Sequence, residues 1–199
     1  MSFSDYKTLA QVQTLFQIKY QETSFIKNIP IEISLQFIEE LNFNINQLDA
    51  FSSEAARCEL IILPILRECY KKIAVKCSLW VQKSLNYDQV LNGTPDYMIS
   101  KRSPLGKTVL SYPLLMIAEA KKNDFNQGWA QCLAELIASQ KLNQNQQPIY
   151  GIVTDGKYWE FGFLEQDIFT KNTKSYTIDN LSDLFAGLND IFSRIEEMI

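Results

Sequence analysis

Histidine is missing altogether from this 199-residue chain. Without it there is no imidazole to ligate zinc, to serve a Ser-His-Asp triad or to activate a cysteine nucleophile. Any hydrolytic chemistry must run on carboxylates, lysine and a hard, oxygen-preferring cation. Cysteine is scarce: Cys58, Cys69, Cys77 and Cys132 show no Cys-x-x-Cys spacing and no small disulfide-rich setting. Reduced, mostly buried thiols in the cytoplasm are the expectation. No run approaches the roughly 18 apolar residues of a membrane span. The opening Met1-Ser2-Phe3-Ser4-Asp5 lacks the basic region and apolar core of a signal peptide. Internal repeats are absent too. Hydrophobic residues at 46% and charged residues at 21% suit one globular domain with a sizeable core.

Two short acidic motifs stand out, Pro95-Asp96 and Glu119-Ala120-Lys121, each on an expected β-strand. Strand side chains alternate between faces, so Glu119 and Lys121 share one side. The residues before them, Pro113-Leu114-Leu115-Met116-Ile117-Ala118, are apolar and read as buried. Two charges leaving one face of a buried strand are costly unless paired or holding a metal. With Asp96 on the preceding strand, two carboxylates and one ammonium surround a point. That grouping suits a divalent cation and an attacking water.

The first 50 residues read as helical. Ser4 is a candidate cap for a helix bearing Leu9, Val12, Leu15 and Phe16. Pro30 suits the first turn of a second helix with Ile33, Phe37 and Leu41, and the Asn-rich 42–47 reads as a connector. A longer helix opens at Ser52 or Ser53, with Glu54 near its positive end. At about 100° per residue, Ala55, Ile62, Leu66, Cys69 and Ile73 gather on one arc. Glu59 falls about 50° from its centre, Glu54 nearer about 90°, and Glu68 well outside. Pro64 interrupts this helix and is expected to kink it.

Strands are expected at 77–87, 93–99 and 113–119, then a helix over 124–141 capped by Asn123 or Asp124. Trp129, Leu133, Leu136 and Ile137 form its apolar face; Gln127, Gln131, Glu135 and Ala138 form another. A strand at 148–154, an Asp155-Gly156 hairpin and a strand at 158–164 follow. Trp159, Phe161 and Phe163 share a face and read as core. A weaker strand near 175–178 closes the sheet. Asp179 or Asn180 opens a terminal helix with an apolar stripe from Leu181 to Met198. It packs on its own core by default, or pairs with a second copy in a homodimer.

In this order and strand placement the chain resembles the PD-(D/E)XK nuclease superfamily, the restriction-endonuclease-like fold, over about 53–164. The Thr-Asp-Gly-Lys-Tyr-Trp-Glu-Phe passage from Thr154 also resembles nuclease domains of restriction systems. The resemblance implies an α/β (α+β) core, a mixed central sheet flanked by helices, over 51–199. A helical extension over 1–50 precedes it, and an amphipathic helix ends it. It implies a nuclease dependent on Mg²⁺ (or Mn²⁺) that hydrolyses DNA phosphodiesters endonucleolytically. Asp96, Glu119 and the Ala120 carbonyl would be metal ligands. Lys121 would orient or deprotonate the attacking water, or neutralise charge on the phosphate. Glu59, with Glu54 second, would be the acid from the preceding helix, and Gln131 would lie against the lysine.

The formal net charge of -4 runs against this, since nucleic-acid binders favour a basic balance or stripe. Lys101, Arg102 and Lys107 cluster in the loop between the motif strands, and Lys121 and Lys122 at the site, so local basicity is compatible with an acidic total. The rival class is a DNA- or protein-binding regulatory protein that keeps the fold without turnover.

Overall fold

A seven-residue strand, Leu114–Ala120, is buried along its whole length and has a paired neighbour on each side. Strands covered on both faces need near-continuous apolar sequence, which Leu114-Leu115-Met116-Ile117-Ala118 supplies. The computed structural model describes residues 2–122 and 124–199. In chain order its helices are α1 (Leu9–Phe16), α2 (Leu35–Gln47), α3 (Glu54–Arg57), α4 (Leu63–Tyr70), α5 (Phe125–Asn143) and α6 (Leu181–Glu197). The strands are β1 (Lys19–Thr23), β2 (Cys77–Val81), β3 (Leu85–Asn86), β4 (Asn92–Gly93), β5 (Tyr97–Lys101), β6 (Leu114–Ala120), β7 (Ile149–Thr154), β8 (Tyr158–Glu165), β9 (Ile168–Asn172) and β10 (Tyr176–Thr177).

The main sheet is ordered β1-β9-β8-β7-β6-β5-β2, with β10 pairing β8, while β3 and β4 form a small separate hairpin. Strands β6 and β7 pair in parallel, as do β1 and β9. The other pairings are antiparallel. This is the expected α+β class: a mixed sheet between helices, ending in a helix.

Alternation along the strands divides the core. Met98, Ile117, Ile149 and Val153 pack with α5 and α1. Tyr97, Ile99, Met116, Ala118 and Ile152 pack with α2, α4 and α6. Helix α5 is buried without a break from Gly128 to Ser139, because the sheet covers one side and α1 crosses the other. Hence the polar face expected around Gln131 and Glu135 is as buried as the apolar one. The apolar stripe of α6, from Leu184 to Ile195, is consumed inside its own chain.

The amino-terminal third departs from its sequence reading. Between the two expected helices, 19–23 is an edge strand rather than helix. Thr8 caps α1, not Ser4, and Leu15 is 53% exposed. Ser34 caps α2, so Pro30 and Ile33 lie outside it, and the Asn-rich 42–47 continues the helix rather than leaving it. The helix after Ser53 is continuous but not uniform: α3 runs into a π-helical turn, Cys58–Ile62, and then α4. Proline lacks an N–H, so Pro64 cannot satisfy the Leu60 carbonyl. Asn44 Nδ2 of α2 donates to that oxygen at 3.0 Å. Of the expected arc, Ile62, Leu66, Cys69 and Ile73 are buried and Ala55 is exposed.

Two expected strands are shorter than read. The first stops at Val81, where Gln82 takes a positive φ of 46°. The second splits into β4 and β5. Strand β9 has no counterpart in the sequence reading. Asp124 caps α5, its Oδ1 accepting from Gln127 N at 2.9 Å; the alternative, Asn123, lies outside the described residues. Among the described residues no helix is long and apolar enough to cross a membrane.

Candidate active site

Strand β6 ends where its side chains turn from apolar to charged. Asp96 lies one residue before β5 rather than on it, and is clasped to the end of β6 by two bonds. Its Oδ2 accepts from Ala120 N at 2.9 Å, and its own N–H donates to Glu119 Oε1 at 3.2 Å. Lys121, one residue past β6, places Nζ 3.7 Å from Glu119 Oε2 and donates its backbone N–H to Thr154 O at 2.9 Å. Asp96, Glu119 and Lys121 therefore meet at one point, between the ends of two antiparallel strands.

Behind them stands Glu135, which the sequence reading placed on a helix face without a role. Gln131 Nε2 donates to Glu119 Oε2 at 2.7 Å and to Glu135 Oε1 at 3.2 Å. Gln131 thus engages the carboxylates rather than the lysine against which it was expected. Glu135 is fully buried and in its neutral form hydrogen-bonds Glu119, whereas Gln131 Oε1 is buried without a partner. The i, i+4 spacing of Gln131 and Glu135 puts both on the side of α5 that meets β6. Nothing in the sequence set Glu135 apart from an ordinary polar helix position.

Burial dominates the electrostatics. It raises the Asp96 carboxyl, against the Ala120 N–H and Lys121, which lower it. It pushes Glu119 up to about 8, with Asp96 adding repulsion. Glu135 rises well above the carboxylate range through burial and then the Glu119 charge. For Lys121 burial opposes the ammonium, but Glu119, Glu54 and Asp96 outweigh it and hold the group above its ordinary range. A cluster of acids that resists ionisation is what a cation would relieve.

The helix acid needs correction. A cavity of about 240 Å³ beside Asp96 is lined by both Glu54 and Glu59. It is Glu54 that reaches the motif strand, its Oε2 accepting from Lys122 N at 3.4 Å. The Glu54 charge acts on Asp96 and Lys121, whereas that of Glu59 acts on Tyr97. The wider π turn starting at Cys58 breaks the 100° phase from which Glu59 was chosen. Lys122, on the face opposite Lys121, donates Nζ to Ser52 O at 3.0 Å and ties α3 to the site.

The oxygen donors at this point, Asp96, Glu119 and the Ala120 carbonyl, fit a hard cation. Magnesium takes one or two carboxylates and keeps several waters. Among the described residues there is no group of three or more Asp, Glu, Cys or His poised to hold an ion. Two carboxylates and a carbonyl are the whole donor set of the motif. Compared with known proteins, the chain matches no family model and no curated protein.

Gly128 leaves room for the lysine stem. A Cβ there would lie 2.7 Å from Val153 Cγ1 and 3.1 Å from Lys121 Cγ. Gly128→Ala is expected to destabilise by about 1 kcal/mol in urea, overpacking outweighing the helix-propensity gain. A variant more stable than wild type would show that the lysine stem is not confined.

The acids also set a pH dependence. The native state keeps a proton on Glu119 that the unfolded chain releases from about 4.5 upward, and loses it only near about 8. The unfolded state binds fewer protons in that window, so this group's contribution to stability falls as pH rises through it and levels off above. Melting temperature in EDTA should drop over this range more steeply for wild type than for Glu119→Gln. Superposable profiles would contradict the assignment.

Proposed function

We propose that this chain is a metal-dependent nuclease of the PD-(D/E)XK type, hydrolysing DNA phosphodiester bonds endonucleolytically. The observation that supports it most is the interlocked Asp96, Glu119 and Lys121 at the end of β6. Asp96, Glu119 and the Ala120 carbonyl would hold Mg²⁺ or Mn²⁺. The ion, when bound, would polarise the scissile phosphate and lower the pKa of the attacking water.

The protein's own contribution is positional and electrostatic. The clasp between Asp96 and β6 fixes the two carboxylates relative to each other. Gln131 holds Glu119 Oε2 and is itself held by Glu135. Lys121, kept protonated by the surrounding acids, serves better to neutralise charge growing on the phosphate than as a base. Glu54, at the cavity beside Asp96, is placed to hold an outer water.

A second reading, a binding protein that retains the fold without turnover, draws on the burial of Glu119, which is 1% exposed. Incubation of supercoiled plasmid with the protein in Mg²⁺, Mn²⁺ or EDTA separates the two. Metal-dependent nicking or linearisation is expected, and intact plasmid under all three conditions would overturn the nuclease reading.

A further inference from the structure

A second cavity is larger than the one beside Asp96. It has a volume of about 720 Å³ and lies between α2, Phe51 ahead of α3, Arg57 at the end of α3, and the β7–β8 hairpin. Ile45, Phe51, Ile178 and the ring of Tyr158 give it apolar walls. Asn42 and Asn46 add amides, and the charges of Arg57 and Lys157 balance those of Asp155 and Asp179. Arg57 is only 8% exposed and stacks 5.1 Å from the Phe51 ring centroid. Its Nη1 donates to Asp155 O at 2.7 Å and its Nη2 to Phe51 O at 3.1 Å. Its Nε is buried with no partner at all. A buried guanidinium N–H without an acceptor is costly and points to a ligand that supplies one.

This cavity adjoins the candidate active site through two one-residue steps. Thr154 O binds Lys121 N, and the next residue, Asp155, lines the cavity. Ser52 O binds Lys122 Nζ, and the preceding residue, Phe51, lines it too. Because the lining charges cancel, a phosphate alone is poorly matched. Aromatic and aliphatic walls, flanked by amide and guanidinium donors and carboxylate acceptors, match a neutral planar heterocycle with polar edges.

We infer that the Arg57–Tyr158 cavity binds an unstacked nucleobase. This rests on the nuclease reading and deepens it: the substrate would present an unpaired nucleotide next to the bond that is cut. The base would lie along Tyr158, with a ring or exocyclic acceptor meeting Arg57 Nε. Substrates with single-stranded or frayed character would then be preferred over continuous duplex.

The test uses Tyr158→Ala, which removes a wall that is 47% exposed, and Asn46→Trp, which fills the cavity from an exposed helix position. Neither belongs to the candidate metal site. The probes are a short single-stranded oligonucleotide carrying a fluorescent base analogue, the same sequence as duplex, and free deoxyadenosine monophosphate, all with Ca²⁺ in place of Mg²⁺. Wild type should bind the single strand more tightly than the duplex, with a change in base fluorescence. Both variants should weaken that binding by about tenfold, as loss of one stacked base predicts, and slow Mg²⁺-dependent cleavage of the single strand with it. If free nucleotide binds with the same sensitivity to both variants, base recognition stands and its source is the mononucleotide. If wild type binds single strands and neither variant changes affinity or fluorescence, the inference is overturned while the nuclease reading stands. Plasmid left intact in Mg²⁺ would remove the nuclease reading, a result that the binding measurements do not share.

Discussion

Asp96→Asn is expected to abolish Mg²⁺-dependent DNA cleavage, by on the order of a thousandfold or more, while leaving the protein folded and as stable as before or slightly more so. The asparagine oxygen can still accept from Ala120 N, so the clasp to β6 survives. The carboxyl it replaces is one that burial already disfavours in charged form. Removing that charge therefore costs the metal-free protein little and takes away a field that helps to raise Glu119. Lys121→Ala should be as damaging to cleavage and worse for stability. It strips the ammonium from a carboxylate that is 1% exposed, and breaking such a pair costs more than the pair contributed. The loss is softened because Glu119, raised to about 8, carries a proton at neutral pH and does not depend wholly on the ammonium. Plasmid assays run beside melting curves with and without Mg²⁺ check both variants. A native-only ion raises the melting temperature by mass action, so that rise should be present in wild type and reduced in Asp96→Asn. Equal Mg²⁺ shifts together with unchanged cleavage would sink the metal-nuclease reading.

Glu135 should divide structure from function in the same direction as Asp96. Glu135→Leu places an apolar group of similar size where an acid is fully buried and burial disfavours its charge. The variant is expected to be more stable by about 1–2 kcal/mol. It also removes the group that shares Gln131 with Glu119, so metal affinity and cleavage should fall by roughly 10–100-fold, as for other supports behind a ligand. Glu135→Gln retains a neutral hydrogen-bonding group and should recover most of the activity. Urea titrations and Mg²⁺ titrations followed by cleavage rate measure the two effects. If the glutamine variant is as inactive as the leucine one, the charge of Glu135 matters directly, and its supporting role is wrong.

The parts of the molecule legible in the sequence are those whose own residues dictate them. β6 was readable because a strand buried on both faces has to be apolar, and Glu119 and Lys121 because alternation fixes their side. The hairpin at Asp155-Gly156 was readable because Gly156 takes a φ of 84°, which glycine tolerates at no cost. Strand β1 was not, since Lys-Tyr-Gln-Glu-Thr is exposed at every position and carries no alternation. Only its partner, far along the chain, makes it a strand. At the site, Asp96 and Glu119 came from motif spacing. Glu54 was ranked below Glu59 because nothing in the sequence announces a π turn. Glu135 went unassigned because a polar helix face reads as solvated until the sheet, here the end of β6, is known to cover it.

The edge strand has a consequence for how the chain assembles. Gln21 of β1 and Thr170 of β9 bond to each other across 149 residues of sequence. Closing so long a loop is entropically late, so β5, β6 and β7, and the candidate site with them, can form while β1 is still unattached. Until it docks, β9 is an open edge displaying the backbone beside Phe169 and Thr170, the kind of surface on which chains join one another. The polar, charged β1 closes that edge and in turn offers neighbouring molecules a strand with little to attract them.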